Sequence, residues 1–94
     1  PVVVVIPFKD EAEATRLAND TVYGLGAPVW TNDMRAAHRL SRPIPAGTVW
    51  FSSYDRSSLT TPFGGFKRSG VGRDRSPHAI DKYMDYKTLW IDYR

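Results

Sequence analysis

From Val2 to Ile6 every residue is β-branched, and Pro7 closes the run. Apolar branched side chains on both sides of the period-two alternation specify a strand buried on both faces, as in a parallel sheet. Such a sheet needs crossover helices, and the chain supplies one at once. Asp10 and Glu13 stand at capping-box spacing, with Asp as the cap. Ala14, Leu17 and Ala18 follow as an apolar stripe at helical spacing, while Glu11, Glu13 and Arg16 lie elsewhere on the cylinder. Gly24 and Gly26 are expected to end this helix. Residues 27–30 read as a second strand, in which Pro28 marks an edge, a bulge or a start delayed to Val29.

The pattern then repeats. Thr31, Asn32 and Asp33 offer a cap, and Met34, Ala37, Leu40 and Ser41 fall on one face of a second helix. Pro43 and Pro45 stop it, and residues 47–54 form a third strand. Strand, helix, strand, helix, strand with short connections predicts βαβ units and right-handed crossovers. The expected fold is α/β, a βαβαβ portion of a parallel sheet.

The rest of the chain is less regular. Residues 60–76 hold Gly64, Gly65, Gly70 and Gly72 together with Lys67, Arg68, Arg73 and Arg75. A short helix capped by Ser76, with Pro77 at its first position, comes next. In a final strand from Lys87 to Tyr93, Leu89, Ile91 and Tyr93 alternate with Thr88, Trp90 and Asp92. Large side chains on both faces mean that this strand wants a partner edge elsewhere.

Composition narrows the function classes. With 94 residues the chain makes one domain at most, and with no cysteine it has no disulfide, thiolate metal site or cysteine nucleophile of its own. No apolar run approaches the roughly 20 residues of a membrane span. The chain opens on Pro1 without an initiator Met or a basic leader, so it reads as an excised piece of a cytoplasmic protein. The net charge is +3, and all of that excess lies beyond residue 47.

The glycine-rich stretch admits two readings, an anion cradle built from backbone N–H groups or a structural turn. It is not a Walker loop, because Val71 stands where lysine must follow Gly70. Nor is it a dinucleotide fingerprint, because Gly70 and Gly72 are followed by Arg73, Asp74 and Arg75 with no third glycine. Phe63 and Phe66 beside basic residues raise nucleic-acid stacking, but Asp55, Asp74, Asp81 and Asp85 are interspersed and no reader motif is present. His38 and His78 lack ligand-spaced partners, and Ser69 lacks a nucleophile elbow. No self-contained catalytic constellation exists, so the chain alone is not expected to be an enzyme, nor to bind nucleic acid, metal or membrane.

The order of these pieces resembles the C-terminal segment of the NAD(P)-dependent aldehyde dehydrogenases. The stretches that carry the likeness are "PVVVVIPFKDEAEATRLANDTVYGLGAPVWTND", "AGTVWFSSY", "PFGGFKRSGVGRD" and "YKTLWI". The tail "GRDRSPHAIDKYMDYKTLWI" looks most like the branch acting on amine-derived aldehydes, such as γ-glutamyl-γ-aminobutyraldehyde and other ω-amino aldehydes. The resemblance implies oxidation of an aldehyde to a carboxylic acid. A cysteine thiolate attacks, hydride passes to NAD or NADP, and a glutamate-activated water hydrolyses the thioester. It also implies that the thiol, the glutamate, an oxyanion-binding asparagine and the cofactor domain lie in an upstream part of the same enzyme. No cofactor is expected on these residues themselves.

By the same resemblance, residues 1–86 are the end of the catalytic domain and 87–94 an oligomerisation strand, with Thr88 to Tyr93 pairing to a second subunit. Tyr54 to Phe63 matches the loop that closes the aldehyde entrance, giving Tyr54, Asp55, Ser57 and Phe63 as substrate-binding candidates. Phe63 matches an aromatic of the tunnel wall, and Ser57 stands where several relatives carry an aromatic, which suits a longer or more polar aldehyde. Ser52 replaces the usual Asn and Asp74 the usual Glu. Gly64, Gly65, Gly70 and Gly72 become turn residues behind the tunnel, with Lys67, Arg68 and Arg73 tethering that corner. The alternative is a stand-alone interaction or anion-binding module on the same fold.

Overall fold

A computed structural model describes residues 1–94. Helix α1 covers Glu11–Asn19. Its cap is the expected one, since the Asp10 carboxylate accepts from the Glu13 N–H at 2.8 Å. Glu13 reciprocates one residue early, accepting from the Lys9 N–H at 2.8 Å instead of from Asp10. The helix ends at Asn19, with the Asp20 N–H donating to the Leu17 carbonyl. Gly24 and Gly26 are therefore not its stop. They lie in strands β1 (Tyr23–Gly24) and β2 (Gly26–Val29).

Helix α2 covers Met34–Ser41, and Asp33 caps it by accepting from the Arg35 N–H at 2.8 Å. Its inner face is centred on Ala36 and Ala37, which are buried, whereas Met34 is 69% exposed. The expected stripe through Met34 is thus rotated toward Ala36, where small side chains permit close packing. Arg39 of α2 reaches α1, donating from Nη2 and Nε to the two Glu11 oxygens at 2.8 and 3.2 Å. That bidentate bond holds the Glu11 carboxyl below the usual carboxylate range.

Strand β3 (Thr48–Phe51) pairs in parallel with β2, Gly26 opposite Thr48 through Val29 opposite Phe51. With α2 between them, β2 and β3 make one βαβ unit. Pro28 sits inside β2 and pairs with Trp50. In this two-stranded sheet the missing N–H breaks no ladder bond. A second two-stranded sheet joins β1 to β4 (Phe66–Lys67) in antiparallel register. The short helix after Ser76 is a 3-10 helix, Pro77–Tyr83, and the Ser76 hydroxyl accepts from the His78 N–H.

Two expected strands take no partner here. Residues 2–6 and 87–93 belong to no sheet and are exposed along their whole length. A strand with two apolar faces is held by neighbours and covering layers, and the rest of these 94 residues offers neither. The observed fold is mixed helix and strand with one βαβ unit, not a continuous βαβαβ sheet. Its core is correspondingly slight, since only Gly24, Ala36, Ala37 and Gly65 are buried. The radius of gyration is 18.8 Å, against about 12 Å for a compact domain of this length.

Candidate functional site

The site grows from β3. The Trp50 indole Nε1 donates to the Arg56 carbonyl at 2.7 Å, and the Tyr54 ring meets the Trp50 ring edge-on with centroids 5.6 Å apart. The chain after β3 therefore folds back over its own strand. Two non-glycine residues make that reversal with positive φ, Ser52 at 49° and Asp55 at 55°. Asn tolerates such a backbone better than Ser. Here the Ser52 hydroxyl helps to hold it by donating to the Thr31 carbonyl at 3.0 Å, while the Ser52 N–H bonds the Val29 carbonyl.

The next loop is sewn to a distant segment. Phe63 and Asp74 exchange two backbone hydrogen bonds of 2.8 and 2.7 Å, and the Ser76 N–H donates to the Leu59 carbonyl at 2.8 Å. Arg75 completes the seam. Its guanidinium donates to the Ser57 hydroxyl and lies 5.2 Å above the Phe63 ring. Arg75 and Ser76 both have positive φ, 59° and 56°. Beside this seam lies an open groove of about 550 Å³ walled by Thr48, Trp50, Arg56, Ser57, Thr61 and Phe63, among others.

The structure thus brings Ser57 and Phe63 together on one groove. Tyr54 and Asp55 do not line it: Tyr54 is exposed against Trp50, and Asp55 occupies the turn. Sequence reasoning missed Arg75, Arg56 and Trp50 as parts of the site. Arg75 was legible only as one of four basic residues, because nothing local links it to a serine 18 residues earlier.

Several donors of the glycine-rich stretch are engaged within the fold. Lys67 donates to the Asn19 and Thr21 carbonyls at 3.2 and 3.0 Å, closing the end of α1. Arg73 donates to the Gly65 and Gly72 carbonyls at 3.0 and 2.8 Å and stacks over Phe66. Arg68 contributes through its backbone N–H, which bonds the Val22 carbonyl at 2.9 Å. The amides of Ser69, Gly70 and Asp74 are likewise given to carbonyls. Asp74 accepts from Lys82, which holds its carboxyl below the usual range and raises the Lys82 ammonium. Although shorter than Glu, Asp74 still reaches its partner. No three His, Cys, Asp or Glu side chains converge as metal ligands.

Comparison with known proteins now bears on this geometry. The model of the aldehyde dehydrogenase family matches residues 1–89. The chain is 53% identical over 91 residues to the NADP/NAD-dependent aldehyde dehydrogenase PuuC of Escherichia coli K12, covering 97% of this chain and 18% of that protein. Among solved structures, the aldehyde dehydrogenase KauB from Pseudomonas aeruginosa superposes with a TM-score of 0.85 at 53% identity, over 92% of this chain and 17% of that one. The NAD+ complex of aldehyde dehydrogenase from Bacillus cereus gives a TM-score of 0.90 at 40% identity, over 100% of this chain and 19% of that one. The chain therefore spans about a fifth of the length of the proteins it matches.

Proposed function

Because the chain belongs to the aldehyde dehydrogenase family, we propose that it is the C-terminal part of an enzyme that oxidises an aldehyde to a carboxylic acid with NAD(P)+. In this reading residues 1–86 end the catalytic domain and 87–94 serve oligomerisation. The loop from Tyr54 to Phe63 closes the aldehyde entrance. Ser57 and Phe63 supply its lining, Trp50 and Arg75 hold it in place, and Tyr54 and Asp55 shape its outer turn. The small hydroxyl of Ser57 leaves room for a long or polar substrate, in keeping with amine-derived aldehydes. The rest of the enzyme contributes the cysteine, the water-activating glutamate and the cofactor domain, and the site of action is the cytoplasm.

The same reading accounts for the two unpaired strands. Residues 2–6 extend the parallel sheet when the upstream chain covers them, and the strand from Thr88 to Tyr93 pairs with a second subunit. One observation carries the proposal above all. A chain that buries only Gly24, Ala36, Ala37 and Gly65 nevertheless matches the family along residues 1–89, so its apolar faces await the remainder of such an enzyme.

The test begins with the coding DNA upstream of the Pro1 codon, which is expected to continue in frame through a cysteine and a glycine-rich cofactor segment. The protein encoded by the whole frame, assayed with simple aldehydes, should reduce NAD+ or NADP+. Residues 1–94 expressed alone should not. A whole-frame product that folds and reduces neither cofactor with any aldehyde would refute the assignment.

A further inference from the structure

We propose that Arg75 is a positioning residue of the aldehyde entrance. It turns the Ser57 hydroxyl into a hydrogen-bond donor toward the substrate, favouring aldehydes whose chain carries an acceptor oxygen level with Ser57. The proposal rests on the entrance reading of Ser57 and Phe63 and adds a polarity to it. Ser57 belongs to the groove wall, whereas Arg75 does not. Arg75 reaches that wall from outside, donating from its guanidinium to the Ser57 Oγ. A guanidinium carries N–H groups and no acceptor, so in this pair the hydroxyl must accept. Its single proton is thereby directed away from Arg75, and its second lone pair stays open. An ether or carbonyl oxygen in the groove can take that proton, and a methylene cannot. The open lone pair can take an N–H, so amine-derived aldehydes remain admitted.

The fold fixes Arg75 against the loop that it orients. Asp74 exchanges two backbone hydrogen bonds with Phe63, and the Ser76 N–H donates to the Leu59 carbonyl. The residues on either side of Arg75 are therefore tied to the entrance loop. The guanidinium itself lies 5.2 Å above the Phe63 ring. Arg75 and Ser76 hold positive φ, 59° and 56°, a backbone that persists only where its surroundings over-determine it. The selection is one of hydrogen-bond direction, not of charge. Asp74, held below the usual carboxylate range chiefly by its bond from Lys82 and further by the charge of Arg75, offsets that charge.

The experiment uses the intact enzyme containing these residues, a straight-chain alkyl aldehyde, and analogues in which an ether oxygen replaces one methylene at successive positions. One position should stand out, with kcat/KM about three- to tenfold above the other ethers, mainly through KM. Ser57→Ala should flatten that profile. Arg75→Lys, a donor without an acceptor, should keep the peak. Arg75→Gln should flatten it, because the Gln carbonyl can accept and lets the hydroxyl turn back. Ser57→Ala added to Arg75→Gln should then cost nothing further. If Arg75→Gln fails to fold, Arg75→Met asks the same question, since its side chain imposes no direction on the hydroxyl. A flat profile in the native enzyme, a peak that survives Ser57→Ala, or one that survives loss of the Arg75 guanidinium to Gln or Met overturns the proposal and leaves the enzyme reading intact. Oxidation of none of the aldehydes would instead defeat the enzyme reading on which it rests.

Discussion

Gly47→Ala in the intact enzyme is expected to remove nearly all soluble, active protein. A Cβ on Gly47 would stand 1.5 Å from the Gly64 carbonyl oxygen and 2.7 Å from its carbon. Both are main-chain atoms, so no rotamer change can make room. Gly47 is fixed from the other side as well, because its N–H donates to the Gly24 carbonyl at 3.0 Å and β3 begins at the next residue. The clash can be relieved only by parting β3 from the glycine-rich corner, and with it Phe63 from the groove. A loss of about 4 kcal/mol or more is expected, at the extreme of single substitutions. Gly70→Ala is the informative control. Its Cβ meets nothing within 4 Å, but the backbone φ of 107° disfavours any side chain; about 1–3 kcal/mol is expected from strain alone. Calorimetric midpoints and specific activities measure both. A Gly47→Ala enzyme as stable as the Gly70→Ala enzyme would show that the two segments do not pack as described.

Residues 1–94 expressed alone are expected to self-associate. Val2 is 89% exposed and Trp90 is 88% exposed, and each sits within an apolar run that has no partner. Unpaired strand edges with large apolar side chains template pairing with another chain. Sedimentation velocity over a wide concentration range should show species larger than monomer, increasing with concentration. Replacing Trp90 and Ile91 with aspartate should shift the distribution toward monomer. A single monomeric species at high concentration, with native helix content, would contradict the view that these faces are meant to be covered.

Legibility from sequence followed the range of the interactions. Helices α1 and α2 were plain because their caps, Asp10 and Asp33, act within three residues. The β2–α2–β3 unit followed from alternation and short connections, and of the three readings of Pro28 the start delayed to Val29 fails, since β2 begins at Gly26. The end of α1 was misread at Gly24 and Gly26. The helix in fact stops at Asn19, where the Asp20 N–H closes the Leu17 carbonyl and Lys67, an ammonium 48 residues away, takes that of Asn19, and the glycines serve close strand packing instead. The inner face of α2 was misplaced through Met34 because packing of Ala36 and Ala37 decided the rotation. For the strands at residues 2–6 and 87–93, periodicity specified a type of environment that these residues cannot provide for themselves. Ser57 and Phe63, named from the resemblance alone, come onto one groove, and Arg75, which meets both, is connected to them only through folding.

The most direct test of the account exchanges the matching segment of Escherichia coli PuuC for residues 1–94. If this chain is the equivalent fifth of an aldehyde dehydrogenase, its apolar faces should find their partners in the host. The chimera should then fold, assemble as the host does and oxidise an aldehyde with a nicotinamide cofactor at a rate within about one to two orders of magnitude of the host. A chimera that folds and assembles with host-like stability yet oxidises no aldehyde would contradict the account.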